Sequence, residues 1–254
     1  NVLATTLDKQ GKLVERETVL RELLALNEKR QPDDWQTFDT RRMLGGSLLA
    51  QRKYVEAEPL LLSGYEGMKQ REEKIPAYDR FRLRKALESL VQLHEATARP
   101  AKVAEWKGKL KELEDALTAP IRANIASAQK QFGAESWEAA TAMMKLSQFH
   151  LANEQPDRAE PVGREILRLR EKNRPDHVVT FKERSELGEV LTKCGRFAEA
   201  EPLLLSGFAG ITQRFDKVTV GNTNFFEPAL RRLVELYEAT KQPAKAEEWR
   251  QKLR

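Results

Sequence analysis

Apolar residues recur along this chain at the spacing of amphipathic helices. In one stretch they stand at Phe38, Leu44 and Leu48, with polar positions between them that would face water. Connections between successive apolar series are as short as residues 51–53 and 193–195, and connections of that length favour antiparallel packing of two helices. No window shows the alternation and β-branched enrichment of strands. The pattern therefore predicts an all-α fold of paired helices, each of about four turns.

The same pattern occurs twice in the chain. Residues 56–71 match residues 199–214 at 12 of 16 positions, and residues 91–110 match residues 234–253 at 12 of 20, both with an offset of 143. Stacked units of this kind bury the faces that they share and usually present extended binding surfaces, whereas catalytic chemistry in them is uncommon. The duplication therefore predicts an interaction scaffold.

The residues of one helical pair resemble the tetratricopeptide repeat (TPR) family. Leu44 and Gly45 occupy the Leu-Gly position of the first helix, Leu48 the bulky position one turn later, and Ala57 and Gly64 the small positions of the second helix. Small residues let helix axes approach to the roughly 8–10 Å of close packing. We expect Gly64→Leu to overpack that crossing.

The resemblance implies a right-handed α-solenoid of about six helical pairs, arranged as a triplet duplicated with the offset of 143. The position of Ala57 recurs at spacings of 41, 46, 56, 41 and 46 residues, longer than the roughly 34 of the simple repeat. Such long units look like kinesin light chain repeats, which bacteria also use in arrays attached to signalling proteins. The equivalents of Ala57 are Arg16, Val103, Ala159, Ala200 and Ala246.

Three segments are expected. Residues 1–118 would form the first triplet, with its first unit truncated, residues 119–133 a bridging helix, and residues 134–254 the second triplet. The bridging helix would begin at Pro120, because proline suits the first turn of a helix. It could be a rigid bridge or a joint between the triplets. The chain begins at Asn1 within a predicted helix, which indicates a piece of a longer protein.

Composition and charge restrict the classes of partner. With 33% charged and 7% aromatic residues the chain is too polar for one large core, but a repeat array tolerates this because each unit buries only shared faces. The net charge of +5 comes from interspersed signs, which is typical of a solvated helical surface and disfavours nucleic acid as a partner. No run approaches the roughly 20 apolar residues of a membrane span. We expect a cytoplasmic protein whose partner is another protein or peptide, with self-association possible and no membrane contact.

Candidate contact residues follow from the resemblance. In the family the first helix of each unit lines a concave groove, and its positions two, five, nine, twelve and thirteen most often meet a bound peptide. For each residue the alternative is an ordinary solvated helix position. The expected contacts are Asp39, Arg42, Gly46, Leu49 and Ala50 in the second helical pair, Lys85, Glu88, Gln92 and Glu95 in the third pair, Thr141, Met144, Gln148 and Leu151 in the fourth pair, Lys182, Ser185, Glu189 and Thr192 in the fifth pair, and Arg231, Glu235 and Glu238 in the sixth pair.

One recognition mode of the family is disfavoured by these residues. A groove that grips a terminal carboxylate needs Lys at position five and Asn at position nine as paired donors. Here those positions read, for example, Arg42 with Gly46 and Arg231 with Glu235. We therefore expect no binding of chaperone-type C-terminal tails.

The histidines and the cysteine do not form a site. His94 and His150 fall on the bulky core position and are expected to be packed and hydrogen-bonded, while His177 would cap a helix or lie on the surface. With one cysteine, Cys194, and no histidines at i, i+4 spacing, we expect no metal site and no intrachain disulfide. Cys194 is interpreted as structural rather than redox-active.

Aromatic, glycine and carboxylate residues suggest no catalytic site either. Trp106 and Trp249 occupy matched positions, which favours helix-packing anchors over ligand stacking. Neither the Gly-x-x-x-x-Gly-Lys loop nor the Gly-x-Gly-x-x-Gly turn, which bind phosphate groups, is present. No pair of carboxylates stands in an apolar setting that would separate their proton affinities. We expect no catalytic residues, no cofactor and no enzyme activity.

Three functional hypotheses remain. The first is a protein-interaction scaffold that binds a peptide or partner segment in the groove, as part of a larger and possibly signalling protein. The second is a structural or self-assembling helical array or spacer. The third is a helical-repeat nucleic-acid binder, which the sequence pI of about 9.2 supports. The identity of the partner cannot be read from the residues.

Overall fold

The computed structural model of the protein describes residues 12–76, 79–214 and 225–253. Within these ranges the ordered elements are α-helices and a short 3-10 turn at Glu72–Lys74, with no strand, which confirms the all-α prediction. The helices are α1 (Leu13–Arg30), α2 (Trp35–Ala50), α3 (Tyr54–Gln70), α4 (Phe81–Ala96), α5 (Pro100–Phe132), α6 (Trp137–Ala152), α7 (Pro156–Asn173), α8 (Val178–Lys193), α9 (Phe197–Arg214), α10 (Phe226–Ala239) and α11 (Pro243–Gln251).

The chain divides into two compact units, Asn1–Leu117 and Thr118–Arg254. The boundary falls inside α5, which is continuous across it, and Pro120 lies in the helix interior. The helix start predicted at Pro120 is therefore wrong. An internal proline removes one backbone hydrogen bond, but apolar residues on both sides are packed, Leu113 on the first unit's core and Ile125 on the second unit's. The assignment of two triplets and a bridge stays a prediction.

The duplication in the sequence is also a duplication of helix boundaries. Helices α1 and α7 begin and end 143 residues apart, and so do α2 and α8. Helices α3 and α9, and likewise α5 and α11, begin with the same offset. The two copies therefore use the same local rules to start and stop their helices.

Left-handed turns repeat at the ends of the first helices. Arg52 and Gly195, at matched positions, have φ values of 62° and 74°, and Ala98 and Lys241 have 52° and 56°. The residue after each turn donates its backbone N–H to a carbonyl five residues earlier, for example from Lys53 at 2.9 Å. This is the Schellman pattern that ends a helix and satisfies its last carbonyls. The tight turn returns the chain along the helix that it has just left.

Each unit has its own apolar core between the paired helices. A fully buried leucine contributes roughly 1.5–3 kcal/mol relative to an exposed one. Leucines buried in these cores include Leu20, Leu44, Leu48, Leu61 and Leu90 in the first unit and Leu191, Leu204, Leu233 and Leu236 in the second.

Both matched tryptophans pack edge to face against an aromatic ring of another helix. Trp106 meets Tyr65 edge to face with ring centroids 5.5 Å apart, and Trp249 meets Phe208 in the same way at 5.1 Å. Edge-to-face contact suits the charge distribution of aromatic rings. The prediction that these tryptophans are packing anchors is confirmed.

Glycines set the distance between α2 and α3, and between α8 and α9. A Cβ on Gly64 would lie 2.8 Å from the backbone nitrogen of Arg42 and 2.9 Å from the carbonyl oxygen of Phe38. A Cβ on Gly207 would lie 2.8 Å from the carbonyl oxygen of Phe181. These neighbours are backbone atoms of the facing helix, so a side chain would push the helices apart. The role expected for Gly64 in the sequence is thus met by backbone-to-backbone contact.

The crossing of α2 and α3 also contains a contact between an arginine and an aromatic ring that was not predicted. The ring of Phe38 lies over Gly67 and is covered by the guanidinium of Arg71, 4.4 Å from the ring centroid. Arg71 Nε also donates to the carbonyl of Asp33 at 2.7 Å. The second copy repeats this arrangement with Phe181, Gly210, Arg214 and Asp176. The arginine stacks on the ring and closes the open end of the helix pair.

Candidate functional site

The first helices of the pairs, α2 and α4 in the first unit and α6, α8 and α10 in the second, carry the predicted contact residues. Two of these residues are buried. The Asp39 carboxylate, 1% exposed, pairs with Arg42 and Arg82, each at 2.6 Å, and so ties α2 to α4. Ser185 is 0% exposed and accepts a hydrogen bond from Arg232 at 3.4 Å. Direct contact of these two side chains with a partner was expected from the sequence, and their burial contradicts it.

The remaining candidates of the first unit do not share one environment. Leu49 is half-buried against the core. Lys85 and Glu88 are half-buried and 4.0 Å apart. Gln92 and Glu95 are exposed, with Glu95 paired to a lysine of α5 at 2.8 Å. These residues form an open polar helix face rather than an enclosed site.

In the second unit, several candidates line one cavity of about 210 Å³. Met144, Gln148 and Leu151 of α6 and Glu189 of α8 are among its walls. Its other lining residues come from α6, α7, α8 and α10 and were not predicted as contacts. They are Ser147, Gly163, Ile166, Glu183, Glu186, Leu187, Val190 and Arg232.

The other second-unit candidates lie around this cavity or on neighbouring helix faces. Lys182 is half-buried and pairs with Glu186 at 2.7 Å. Thr141 is exposed and accepts a hydrogen bond from Arg170 at 2.9 Å. Thr192 donates to a backbone carbonyl of its own helix. The exposed candidates on α10 are Arg231, Glu235 and Glu238.

Glu183 is the most unusual ionisable group of the cavity. It is 4% exposed, and its Oε1 has no hydrogen-bond partner, although Lys182 Nζ lies 3.6 Å away. Burial, and after it the neighbouring Glu186 carboxylate, raise the pKa of Glu183 to about 7. A carboxyl in this position is poised to accept a donor that the chain itself does not supply.

Arg170 of α7 is buried next to this carboxyl. Its guanidinium stacks on Trp137, 3.7 Å from the ring centroid, and donates to the Trp137 carbonyl at 3.1 Å. It also reaches the sulfur of Met144 at 3.4 Å, while its Nε has no hydrogen-bond partner. Burial lowers the pKa of Arg170, although the charge of Glu183 opposes that effect. The sequence did not predict Arg170 and Glu183 as site residues, because neither falls on a groove position of the repeat. The feature of the sequence that could have revealed them is a charged residue at a position that packs into the core.

The histidines and the cysteine lie where the sequence placed them. His94 and His150 are buried, and burial lowers the pKa of His94. His150 Nδ1 lies 3.0 Å from Gln155 Oε1, whereas His94 Nδ1 has no hydrogen-bond partner, so the hydrogen bond expected for His94 is not found at that atom. His177 caps α8 by accepting the Val179 N–H at its Nδ1, at 3.3 Å. Cys194 is half-buried at the end of α8, and burial raises the pKa of its thiol. These positions are those of packing and capping residues.

Neither a metal-binding cluster nor a membrane-spanning helix is present in the part of the chain that the structure describes. In residues 12–76, 79–214 and 225–253 there is no group of three or more His, Cys, Asp or Glu side chains that could hold a metal ion. Over that same part of the chain, none of the helices combines the length and the apolar character needed to cross a membrane.

Neither a family model nor a curated protein matches the chain. Among solved structures, BtubC (BKLC) from P. vanneervenii is similar at 16% identity and a TM-score of 0.42, covering 96% of this chain and 89% of that one. A Podosopora anserina kinesin light chain with nearly identical TPR-like repeats is similar at 17% identity and a TM-score of 0.37, covering 85% of this chain and 94% of that one.

Proposed function

We propose that this chain is a non-catalytic protein-interaction module that binds a peptide or segment of a partner protein on the first helices of its pairs. The second unit, with its cavity between α6, α7 and α8, would hold the partner most firmly. The observation that carries this proposal is a difference between the two copies of the repeat: six matched packing positions hold identical residues, and the predicted contact positions do not.

The packing positions explain why the two copies fold alike. They hold leucine in the cores and small residues where helices cross. The matched identical pairs are Leu44 and Leu187, Gly45 and Gly188, Leu48 and Leu191, Ala57 and Ala200, Leu61 and Leu204, and Gly64 and Gly207.

The predicted contact positions of α2 and α8 change in every case. Charge reverses in one pair, appears in another and is lost in a third. Asp39 and Ser185 are buried, so these differences bear on partner contact only at the accessible members of the pairs. Because both copies form the same helix pair, the fold does not dictate the residues at those accessible positions. Such divergence is expected if the two units contact different segments of a partner. The matched pairs are Asp39 and Lys182, Arg42 and Ser185, Gly46 and Glu189, and Leu49 and Thr192.

The proposal can be tested by affinity capture with two variants of equal charge change. One carries Gln148→Arg and Glu235→Arg, both at exposed positions of first helices. The other carries Gln251→Arg and Glu248→Arg on α11, the second helix of its pair, where both residues are exposed. We expect a protein retained by the unchanged chain to be kept by the α11 variant and lost by the first-helix variant.

The opposite results have clear meanings. Equal retention by both variants, or equal loss, would show that binding does not depend on the first helices. If the chain captured only copies of itself, the self-assembling array would be the better hypothesis, and light scattering would then show a mass that increases with concentration.

A further inference from the structure

Gly163 forms part of the lining of the second unit's cavity, and the residue 143 positions earlier is Leu20, which is 0% exposed in the first unit's core. A Cβ on Gly163 would have one neighbouring atom within 4 Å, Leu187 Cδ1 at 3.2 Å. The contact is with a side chain rather than with backbone, in contrast to Gly64. The glycine therefore leaves the cavity wall without the leucine side chain that the first copy has at this position.

The same comparison shows that the acidic lining belongs to the second copy alone. Three carboxylates follow one another at three-residue spacing along the cavity side of α8. In the first copy these positions are neutral, so neither the helix nor its packing requires acid there. The matched pairs are Thr40 and Glu183, Met43 and Glu186, and Gly46 and Glu189.

Two of the three carboxylates have cationic partners at hydrogen-bond distance, whereas Glu183 Oε1 lies 3.6 Å from Lys182 Nζ. Glu189 pairs with Arg232 at 2.6 Å, and Glu186 pairs with Lys182 at 2.7 Å. Glu183 Oε1 is buried with no hydrogen bond. A buried carboxylate oxygen without a donor is unfavourable, and structures usually satisfy such atoms.

In the first copy, two neutral side chains form a hydrogen bond at the positions that match Arg170 and Glu183. Asn27 Nδ2 donates to Thr40 Oγ1 at 3.0 Å. Their equivalents in the second copy are Arg170 and Glu183, which leave Arg170 Nε and Glu183 Oε1 without hydrogen-bond partners. The fold is thus compatible with a satisfied polar pair, but in the second copy one guanidinium nitrogen and one carboxyl oxygen at these positions are buried without a hydrogen-bond partner. A buried polar atom that is unsatisfied and that the fold does not need points to a ligand.

We propose that this cavity receives the side chain of a lysine or arginine from the protein partner, an inference that rests on the proposed function. The aliphatic stem would lie along Met144, Ile166 and Leu187, and the cationic head would donate to Glu183 Oε1. The cavity volume of about 210 Å³ is many times the roughly 10–15 Å³ that one water needs, so there is room for such a side chain. An acidic side chain would meet three carboxylates, and an apolar one would leave Glu183 without a donor.

The first experiment uses small probes in place of the unknown partner. The full chain, labelled with ¹³C at its methionine methyl groups, is titrated with the amides of N-acetyl-lysine, N-acetyl-arginine, N-acetyl-norleucine and N-acetyl-glutamate. We expect the lysine or arginine probe, or both, to shift the Met144 signal saturably, while Met68, fully buried in the first unit, stays unchanged. The two cationic arms decide between lysine and arginine. An equal shift with the norleucine probe would overturn the inference.

Two variants borrow their residues from the first copy. Gly163→Leu fills the cavity, and Arg170→Asn with Glu183→Thr installs the neutral pair. Both variants should keep the helical circular dichroism spectrum and should bind the cationic probe with an affinity lower by about tenfold or more. Glu183→Gln, which keeps the shape and removes the charge, is the conservative check if either fails to fold, and it should also weaken binding. Unchanged affinity in a folded variant would overturn the inference.

Capture experiments separate this inference from the proposed function. If a partner is lost by the first-helix variant but fully retained by Gly163→Leu, the module binds a partner without using the cavity, and only this inference fails. If no partner depends on the first helices, the proposed function fails as well. If the partner is lost by both variants, replacement of single lysines and arginines in it by norleucine and citrulline should reproduce the loss at one position.

Discussion

Gly64 offers a test in which tertiary packing cancels or reverses the usual gain in stability when a helical glycine is replaced by alanine. In the interior of a helix, glycine to alanine normally stabilises by roughly 1 kcal/mol, because alanine has the higher helix propensity. At Gly64, however, the new Cβ would lie 2.8 Å from the backbone nitrogen of Arg42 and 2.9 Å from the carbonyl oxygen of Phe38. Neither atom can move without displacing α2, and overpacking of this kind costs about 1–3 kcal/mol.

The two effects leave Gly64→Ala with a net loss of about 0–2 kcal/mol in the free energy of unfolding. Gly108→Ala is the matched control, since Gly108 lies within α5 in the same unit and its Cβ would meet no atom within 4 Å. We expect this control to gain about 0.5–1 kcal/mol. Urea unfolding followed by circular dichroism measures both variants, and a constant m value shows that the unfolded state has not changed.

Stabilisation of both variants by the same amount would refute the reasoning, because it would mean that the helix crossing tolerates a side chain. Gly207→Ala provides an independent repeat in the second unit, where the Cβ would lie 2.8 Å from the carbonyl oxygen of Phe181. Gly64→Leu should be more destabilising than Gly64→Ala, since the added volume faces the same backbone.

Three further predictions concern charged groups, each measured as the free energy of unfolding by urea titration. Arg71→Ala removes the cover of Phe38 and a hydrogen bond to backbone, and should cost about 1–3 kcal/mol; a smaller loss than for an exposed arginine elsewhere would contradict this. The pKa of Glu183 is raised to about 7 in the folded chain, so its folded state binds more protons than the unfolded state between about pH 4.5 and 7. Stability should fall as pH rises through that window, and Glu183→Gln should flatten the dependence. The hydrogen bonds from Lys53 and Arg21 lower the pKa of Glu17 to about 2, so its contribution should be lost as pH falls from about 4.5 toward 2, and Glu17→Gln should show a smaller loss.

The candidate site was only partly predictable from the sequence. Met144, Gln148 and Glu189 were expected as contacts because of their positions in the repeat, and they line the cavity. Asp39 and Ser185 occupy equivalent positions but are buried. A position in the repeat frame gives the direction of a side chain on its helix, but not whether a neighbouring helix covers it. That depends on partners distant in sequence, such as the arginine that reaches Asp39 from α4.

The helix boundaries show the same division. The turns at Arg52 and Gly195 end their helices in the same way, although only one of them has the glycine that the sequence would favour. At Pro120 the local preference pointed to a new helix, yet the chain continues through it, because apolar residues on either side are held by packing. Local preference yields where tertiary contacts are stronger.

The sequence by itself determined the class of fold and its repetition, because helical periodicity, short connections and the offset of 143 are local properties that can be counted along the chain. It also determined the small residues at the helix crossings. Only the tertiary structure decided that Gly163 lines a cavity, that Glu183 and Arg170 are buried, and that the three carboxylates of α8 line the same cavity as Met144. The physical reason is that a cavity and an unsatisfied charge are relations among side chains of different helices, and these relations exist only when the helices are packed together.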